Sequence, residues 1–169
     1  NFRLSYQDAA LNSVASDEQI IVFDSFAQNV ILSAPTANQI SPPIFDVTFQ
    51  LQEEANVNTV QLVFTRTGGA DDSYGTRYVT FISTFVDLTT YTVGIVALST
   101  AAADVAEIAT VVPSNDLVHG AIYNVEIIYQ DRASNLGSSN IIAGLEIDAQ
   151  TETPTLSAPF DNSFVPTII

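Results

Sequence analysis

The chain has 169 residues, of which 19 are acidic and only 4 are basic, and its formal net charge is −15. This charge argues against nucleic acids or anionic membranes as partners, because both require cationic patches on the protein. The lack of cysteine excludes disulfides, thiol chemistry and cysteine-based metal sites. No apolar run approaches the roughly 20 residues that span a bilayer, so we expect no membrane insertion.

The first predicted element is a hairpin within residues 1–27, and the sequence of its first twelve residues returns at residues 124–135. NFRLSYQDAALN and NVEIIYQDRASN share Tyr-Gln-Asp, followed by Ala and Asn at the same offsets. Downstream, Asp24 matches Asp148, and LSAP at 32–35 recurs at 156–159, so the spacing is 123 to 124 residues. Such a fixed spacing predicts a tandem repeat. We expect residues 1–27 to be the C-terminal hairpin of a preceding repeat, residues 28–149 one complete β-sandwich, and residues 150–169 a linker and the first strand of the next.

The remaining elements read almost entirely as strands, because apolar and polar residues alternate with a period of two. One segment, residues 99–108, is rich in alanine and favours a short helix, with an irregular connection as the alternative. The pattern predicts an all-β fold, with strands at the spacing of a β-sandwich. The predicted strands are residues 47–52, 59–67, 78–86, 90–98, 123–131 and 141–148.

A tyrosine near the start of a late strand carries a more specific signal. Leu117, Gly120 and Tyr123 form a Leu-x-x-Gly-x-x-Tyr sequence just before and at the head of the strand. In Greek-key sandwiches, a tyrosine at this place folds back so that its hydroxyl bonds to upstream backbone. We therefore expect Tyr123 to have a structural role at a corner of the sandwich.

The hairpin that follows resembles that of bacterial Ig-like and fibronectin type III-like repeats, which occur in tandem on large surface proteins. The family pattern is Tyr-x-Val-x-x-x-x-x-Asp-x-Ala-Gly-Asn. Ser134 stands in place of the usual Gly, and Leu11 does so in the first copy, which disfavours a left-handed turn there. The resemblance implies an Ig-like, Greek-key β-sandwich in a tandem repeat array, an extracellular or cell-surface location, and neighbouring copies of the same repeat as partners. The residues that carry it are Tyr123, Val125, Asp131, Ala133 and Asn135.

The chain offers little that could support catalysis, so we expect no enzymatic activity. His119 is its single histidine and sits in a loop, where a solvated turn residue is the simpler interpretation. Acidic residues are paired at positions 53–54 and 71–72, but adjacent residues on a strand point to opposite faces. Neither pair therefore makes a ready glycosidase site.

Acidic segments do suggest a calcium site between repeats. The expected topology places the loop after the first long strand, the final hairpin and the entering linker at one end of the sandwich. Calcium accepts carboxylate and carbonyl oxygens without strict geometry. The alternative is that Asp131 and Asn135 form a backbone-mimicking turn while the glutamates are solvated. The predicted ligands of an inter-repeat Ca²⁺ are Asp24, Glu53, Glu54 and Asp131.

These patterns predict a structural or adhesive repeat of an extracellular stalk, filament or surface adhesin. The alternative function is a carbohydrate- or ligand-binding module, with a surface ligand or glycan as partner. That alternative requires an exposed aromatic row, and the candidates are Tyr74, Tyr78, Phe81 and Phe85. Phe81 and Phe85 share strand parity, which favours core packing instead.

Overall fold

The computed structural model describes residues 3–18, 20, 22–96 and 106–150, and within these ranges the chain is all-β, with twelve strands. The all-β prediction is therefore confirmed. No helix able to cross a bilayer occurs in these ranges. The strands are β1 (Ser5–Gln7), β2 (Ser13–Ala15), β3 (Ile31–Ala34), β4 (Ile40–Ser41), β5 (Ile44–Gln50), β6 (Gln61–Gly69), β7 (Thr76–Phe81), β8 (Thr90–Val96), β9 (Ile108–Val112), β10 (Ala121–Gln130), β11 (Leu136–Ser138) and β12 (Ile142–Ile147).

The strands form a hairpin of their own and two larger sheets. Among the described residues β1 pairs only with β2, whereas β3, β5 and β8 make a three-stranded sheet. The seven-stranded sheet runs β4-β12-β10-β6-β7-β9, with β11 attached to β10. Most neighbouring pairs are antiparallel, and β4 joins β12 in parallel.

The two larger sheets pack face to face around one apolar core. β10 alternates strictly between buried and half-buried residues, as the period of two predicts. Phe49 of β5 stacks on Phe81 of β7 with ring centroids 5.4 Å apart, and Phe45 meets Phe64 edge-on at 6.1 Å. These contacts join one sheet to the other, so the packing is sandwich-like.

One predicted strand differs from the structure, and two other predicted segments lie largely outside the described residues. The strand predicted at 78–86 ends at Phe81, because the chain turns there and inserts Phe85 into the core. Of the helix candidate 99–108, residues 99–105 lie outside the described ranges, and Ile108 opens strand β9. The predicted linker and first strand at 150–169 also lie outside those ranges after Gln150.

The repeated sequence forms the same hairpin twice. β1 and β2 pair Ser5 with Ala15 and Tyr6 with Val14. β10 and β11 pair Ile128 with Ser138 and Tyr129 with Gly137, which is the same register 123 residues later.

The turns of the two hairpins also share their aspartate–asparagine hydrogen bonds. Asp8 accepts hydrogen bonds from the backbone and side-chain nitrogens of Asn12 at 2.9 and 3.0 Å, and Asp131 accepts the same pair from Asn135 at 2.8 Å. Leu11 and Ser134 both adopt positive φ, at 65° and 69°. The expectation that Ser134 disfavours a left-handed turn is therefore wrong, because the aspartate bonds hold the turn without glycine.

Candidate functional site

Three acidic side chains meet at one end of the sandwich. Asp24 precedes β3, Glu53 lies in the turn after β5, and Asp131 follows β10. One carboxylate oxygen of each lies within 4.8 Å of the others. Asp131 is fully buried, whereas Asp24 is exposed.

Backbone pairing between loops brings these acids together. The turn after β5 reaches the end of β10 through an antiparallel bridge between Ala55 and Asp131. The segment before β3 reaches β11 because the N–H of Val30 donates to the carbonyl of Ser138 at 3.0 Å. The convergence therefore depends on pairing between distant parts of the chain.

Each carboxylate of the cluster also accepts a hydrogen bond from nearby backbone. Glu53 Oε2 accepts the N–H of Gln28 at 2.8 Å, and Asp24 Oδ1 accepts the N–H of Phe26 at 3.3 Å. Asp131 holds Asn135 through both of its oxygens, as described above. The turn proposed as the alternative to a metal ligand is thus present, and it leaves further lone pairs on each oxygen.

The surroundings of the cluster are negatively charged. Tyr129 packs beside it and donates its hydroxyl proton to the Gln28 carbonyl at 2.6 Å. Burial, followed by the negative charges of Glu53 and Asp131, raises the pKa of the Tyr129 hydroxyl to about 12. Two ligands of one calcium ion, each at about 2.4 Å, lie no more than about 4.8 Å apart. The three oxygens therefore suit a hard cation, with carbonyl groups or water as the remaining ligands.

Glu54, the fourth predicted ligand, does not belong to this cluster. Its Oε2 lies 2.9 Å from Arg132 Nη1 in an exposed ion pair. Glu53 and Glu54 are adjacent in a turn, and the turn geometry directs only Glu53 toward Asp131.

A second polar group, which the sequence did not suggest, is buried near the other end of the sandwich. Asp72 and Arg77 form an ion pair with side chains 0% and 1% exposed. Arg77 also donates to the carbonyls of Asn115 and Asp116 at 3.0 and 2.7 Å. In β7, Arg77 points to the same side as the buried residues Val79 and Phe81. This alternation is the sequence signal that could have indicated its burial.

Tyr123 connects this ion pair to the corner of the sandwich. Its hydroxyl accepts the N–H of Val118 at 3.0 Å, the upstream backbone bond that the Leu-x-x-Gly-x-x-Tyr sequence predicts, and donates to Asp72 Oδ2 at 2.8 Å. Burial is the main reason that the pKa of Tyr123 rises to about 12. Burial also opposes ionisation of Asp72, but hydrogen bonds from Arg77, Tyr123 and the Tyr74 N–H outweigh it and lower its pKa.

The other candidate residues do not assemble into a site. His119 Nδ1 accepts the N–H of Ala149 at 3.1 Å, so the imidazole contacts the linker that leaves the sandwich. Phe81 and Phe85 are core residues, as their parity favoured. Tyr74 and Tyr78 are exposed, but the ring of Tyr74 lies 5.7 Å from the Arg77 guanidinium at the end of the strand.

Comparison with known proteins gave no match, either to a family model or to a curated protein sequence.

Proposed function

We propose that the chain is part of a tandem array of Ig-like, Greek-key sandwiches that acts as a structural or adhesive segment of an extracellular stalk, filament or adhesin, without catalysis. The observation that carries this proposal is the duplicated hairpin. Its register, its turn hydrogen bonds and its left-handed residue recur 123 residues apart. One fold unit used repeatedly along a chain is the usual basis of elongated proteins.

The strand arrangement supports the Ig-like, fibronectin type III-like part of the proposal. A three-stranded sheet faces a larger sheet, and a corner tyrosine bonds back to upstream backbone. Both features are typical of these sandwiches.

The hydrogen bonds at the start of the two linkers support the proposed tandem arrangement. Asp24 accepts the N–H of Phe26, and Asp148, 124 residues later, accepts the N–H of Gln150 at 3.2 Å. The same turn therefore begins both linkers, so the chain would pass from one repeat to the next with similar geometry each time.

Calcium at Asp24, Glu53 and Asp131 forms part of the proposal, because these residues join the entering linker to the body of the sandwich. A cation bound there would restrict the linker. It would also offset part of the net charge of −15.

The carbohydrate-binding alternative receives less support. It needs neighbouring exposed aromatic side chains, and two of its four candidates, Phe81 and Phe85, are buried. We therefore retain the structural role as the proposal.

Antibodies raised against the folded chain test the proposed location. On intact cells of the source organism we expect labelling without permeabilisation, extending away from the cell body in electron micrographs. Antibodies against a cytoplasmic protein provide the control. Labelling that appears only after permeabilisation would refute an extracellular role.

A further inference from the structure

The first hairpin exposes an apolar face that its second copy buries. Leu4 and Tyr6 are each 63% exposed, whereas their counterparts Ile127 and Tyr129 are 0% and 1% exposed. Phe23 is 88% exposed, and Ile147, 124 residues later, is fully buried. The same hairpin therefore occurs once with its apolar face buried and once with that face exposed.

The buried copy shows what kind of structure provides the cover. On one edge β10 pairs antiparallel with β6, with Ile128 opposite Gln61 and Ile127 opposite Leu62. The equivalent edge of β1 has no partner strand within the described ranges. The inward residues of β10 belong to the same buried apolar core as the inward residues of β5 in the opposite sheet.

We propose that the β1–β2 hairpin binds the body of another sandwich of this type, a body equivalent to residues 28–123. A β6-like strand of that body would pair with β1 in the register that places the counterpart of Gln61 opposite Ser5. Leu4, Tyr6 and Phe23 would then enter its core. This inference rests on the proposed tandem function and names the surface by which one repeat is completed.

One position distinguishes the two copies sterically. Gly137 faces Tyr129, and a Cβ added there would overlap both the tyrosine ring and the backbone carbonyl of Gln28. The first hairpin has Val14 at this position, opposite Tyr6. The body that binds it must therefore accommodate a shifted Tyr6 ring, and replacing Val14 by glycine removes that demand.

A fusion of residues 28–123 directly ahead of the full chain tests the proposal. Asn1 corresponds to Asn124, so the fusion continues the β10 sequence without an inserted residue. We expect backbone amides of β1 and β2 to exchange with solvent at least about 100-fold more slowly in the fusion than in the chain alone, measured by NMR. A second fusion carrying Val14→Gly covers the case in which the valine alone prevents docking.

Matched substitutions separate docking from local hairpin stability. Tyr6→Ser removes an inward side chain and should abolish the gained protection, whereas Gln7→Ser removes only the local hydrogen bond from Gln7 Nε2 to the Leu11 carbonyl and should preserve it. Rapid exchange of the hairpin amides in both fusions would overturn the proposal. So would an unfused chain that sediments as a dimer and already has protected hairpin amides. Each body of that dimer is completed by its own β10 and β12, so the occupant would be the hairpin of the second copy.

The outcome is independent of the labelling experiment. Surface labelling with unprotected hairpin amides would retain the extracellular role and reject the docking surface. Protected amides without surface labelling would retain the docking surface and reject the extracellular role.

Discussion

At the scale of single residues, the Asp72–Arg77 pair is the clearest example of burial that requires partners. A buried charge is costly unless it is paired and hydrogen-bonded. Arg77 meets this condition through Asp72 and two backbone carbonyls, and Asp72 through Arg77, Tyr123 and the Tyr74 N–H. The pair thereby fastens the loop before β7 to the corner before β10.

Asp72→Asn should lower the free energy of unfolding by about 3–5 kcal/mol, because it leaves the Arg77 charge buried without its partner. Urea denaturation at neutral pH measures this change. Asp71→Asn is the matched control, since Asp71 is exposed and lies 3.5 Å from Arg66. It should change stability little. Equal effects of the two substitutions would show that the buried pair contributes nothing specific.

The same pair should make the fold sensitive to acid. The pKa of Asp72 in the folded chain is lowered from its usual 3.8, so its contribution is fully present above that value and is lost as the pH falls through the folded pKa. The wild-type free energy of unfolding should therefore fall more steeply than that of Asp72→Asn below about pH 4. Parallel slopes in urea titrations at several acidic pH values would contradict this assignment.

At the scale of elements, the two hairpins show that side-chain hydrogen bonds can replace glycine in a left-handed turn. Asp8 and Asp131 bond to Asn12 and Asn135 in the same way. The residue before each asparagine is then held at positive φ although it has a side chain. That conformation retains a steric cost for any residue with a Cβ.

Ser134→Gly should consequently stabilise the chain by about 1 kcal/mol. The substitution also removes a long, 3.4 Å contact with Asn56 Nδ2, which is too weak to reverse the sign. Ala133→Gly is the control, because Ala133 does not adopt positive φ and should lose stability through backbone entropy. Thermal unfolding measures both variants, and destabilisation by Ser134→Gly would contradict the argument.

At the scale of the whole molecule, the net negative charge and the acidic cluster would each respond to added cations, but in different ways. A chain with net charge −15 repels itself, and salt screens this repulsion without a specific site. A bound cation would instead act at Asp24, Glu53 and Asp131. The two effects differ in their dependence on individual residues.

Calcium should raise the melting temperature of the wild-type chain relative to chelator at matched ionic strength, because a ligand that binds only the folded state stabilises it. Glu53→Gln should remove this rise. Glu54→Gln should keep it, since Glu54 pairs with Arg132 instead. A wild-type melting temperature that is independent of calcium, measured by calorimetry, would exclude the site.

The sequence predicted the long strands and the convergence of three acidic segments, but several local details were missed. Strand β9 was missed because the preceding alanines favour helix, while pairing with β7 decides the conformation of Ile108. Glu54 lies outside the cluster and pairs with Arg132, because the direction of adjacent turn residues depends on backbone geometry that the sequence does not show. The burial of Arg77 was missed because two of the groups that satisfy it, the carbonyls of Asn115 and Asp116, lie far along the chain.

The sequence by itself determined the all-β class, the inward residues of β10 and the recurrence of one hairpin, because alternation and repetition are local properties of the chain. Only the tertiary structure decided which charges are buried, which acids meet and which hairpin face is left uncovered. Those outcomes depend on contacts between residues distant in sequence. Leu4 and Ile127 occupy equivalent places in the same hairpin, and only the surrounding sheets leave one exposed and the other buried.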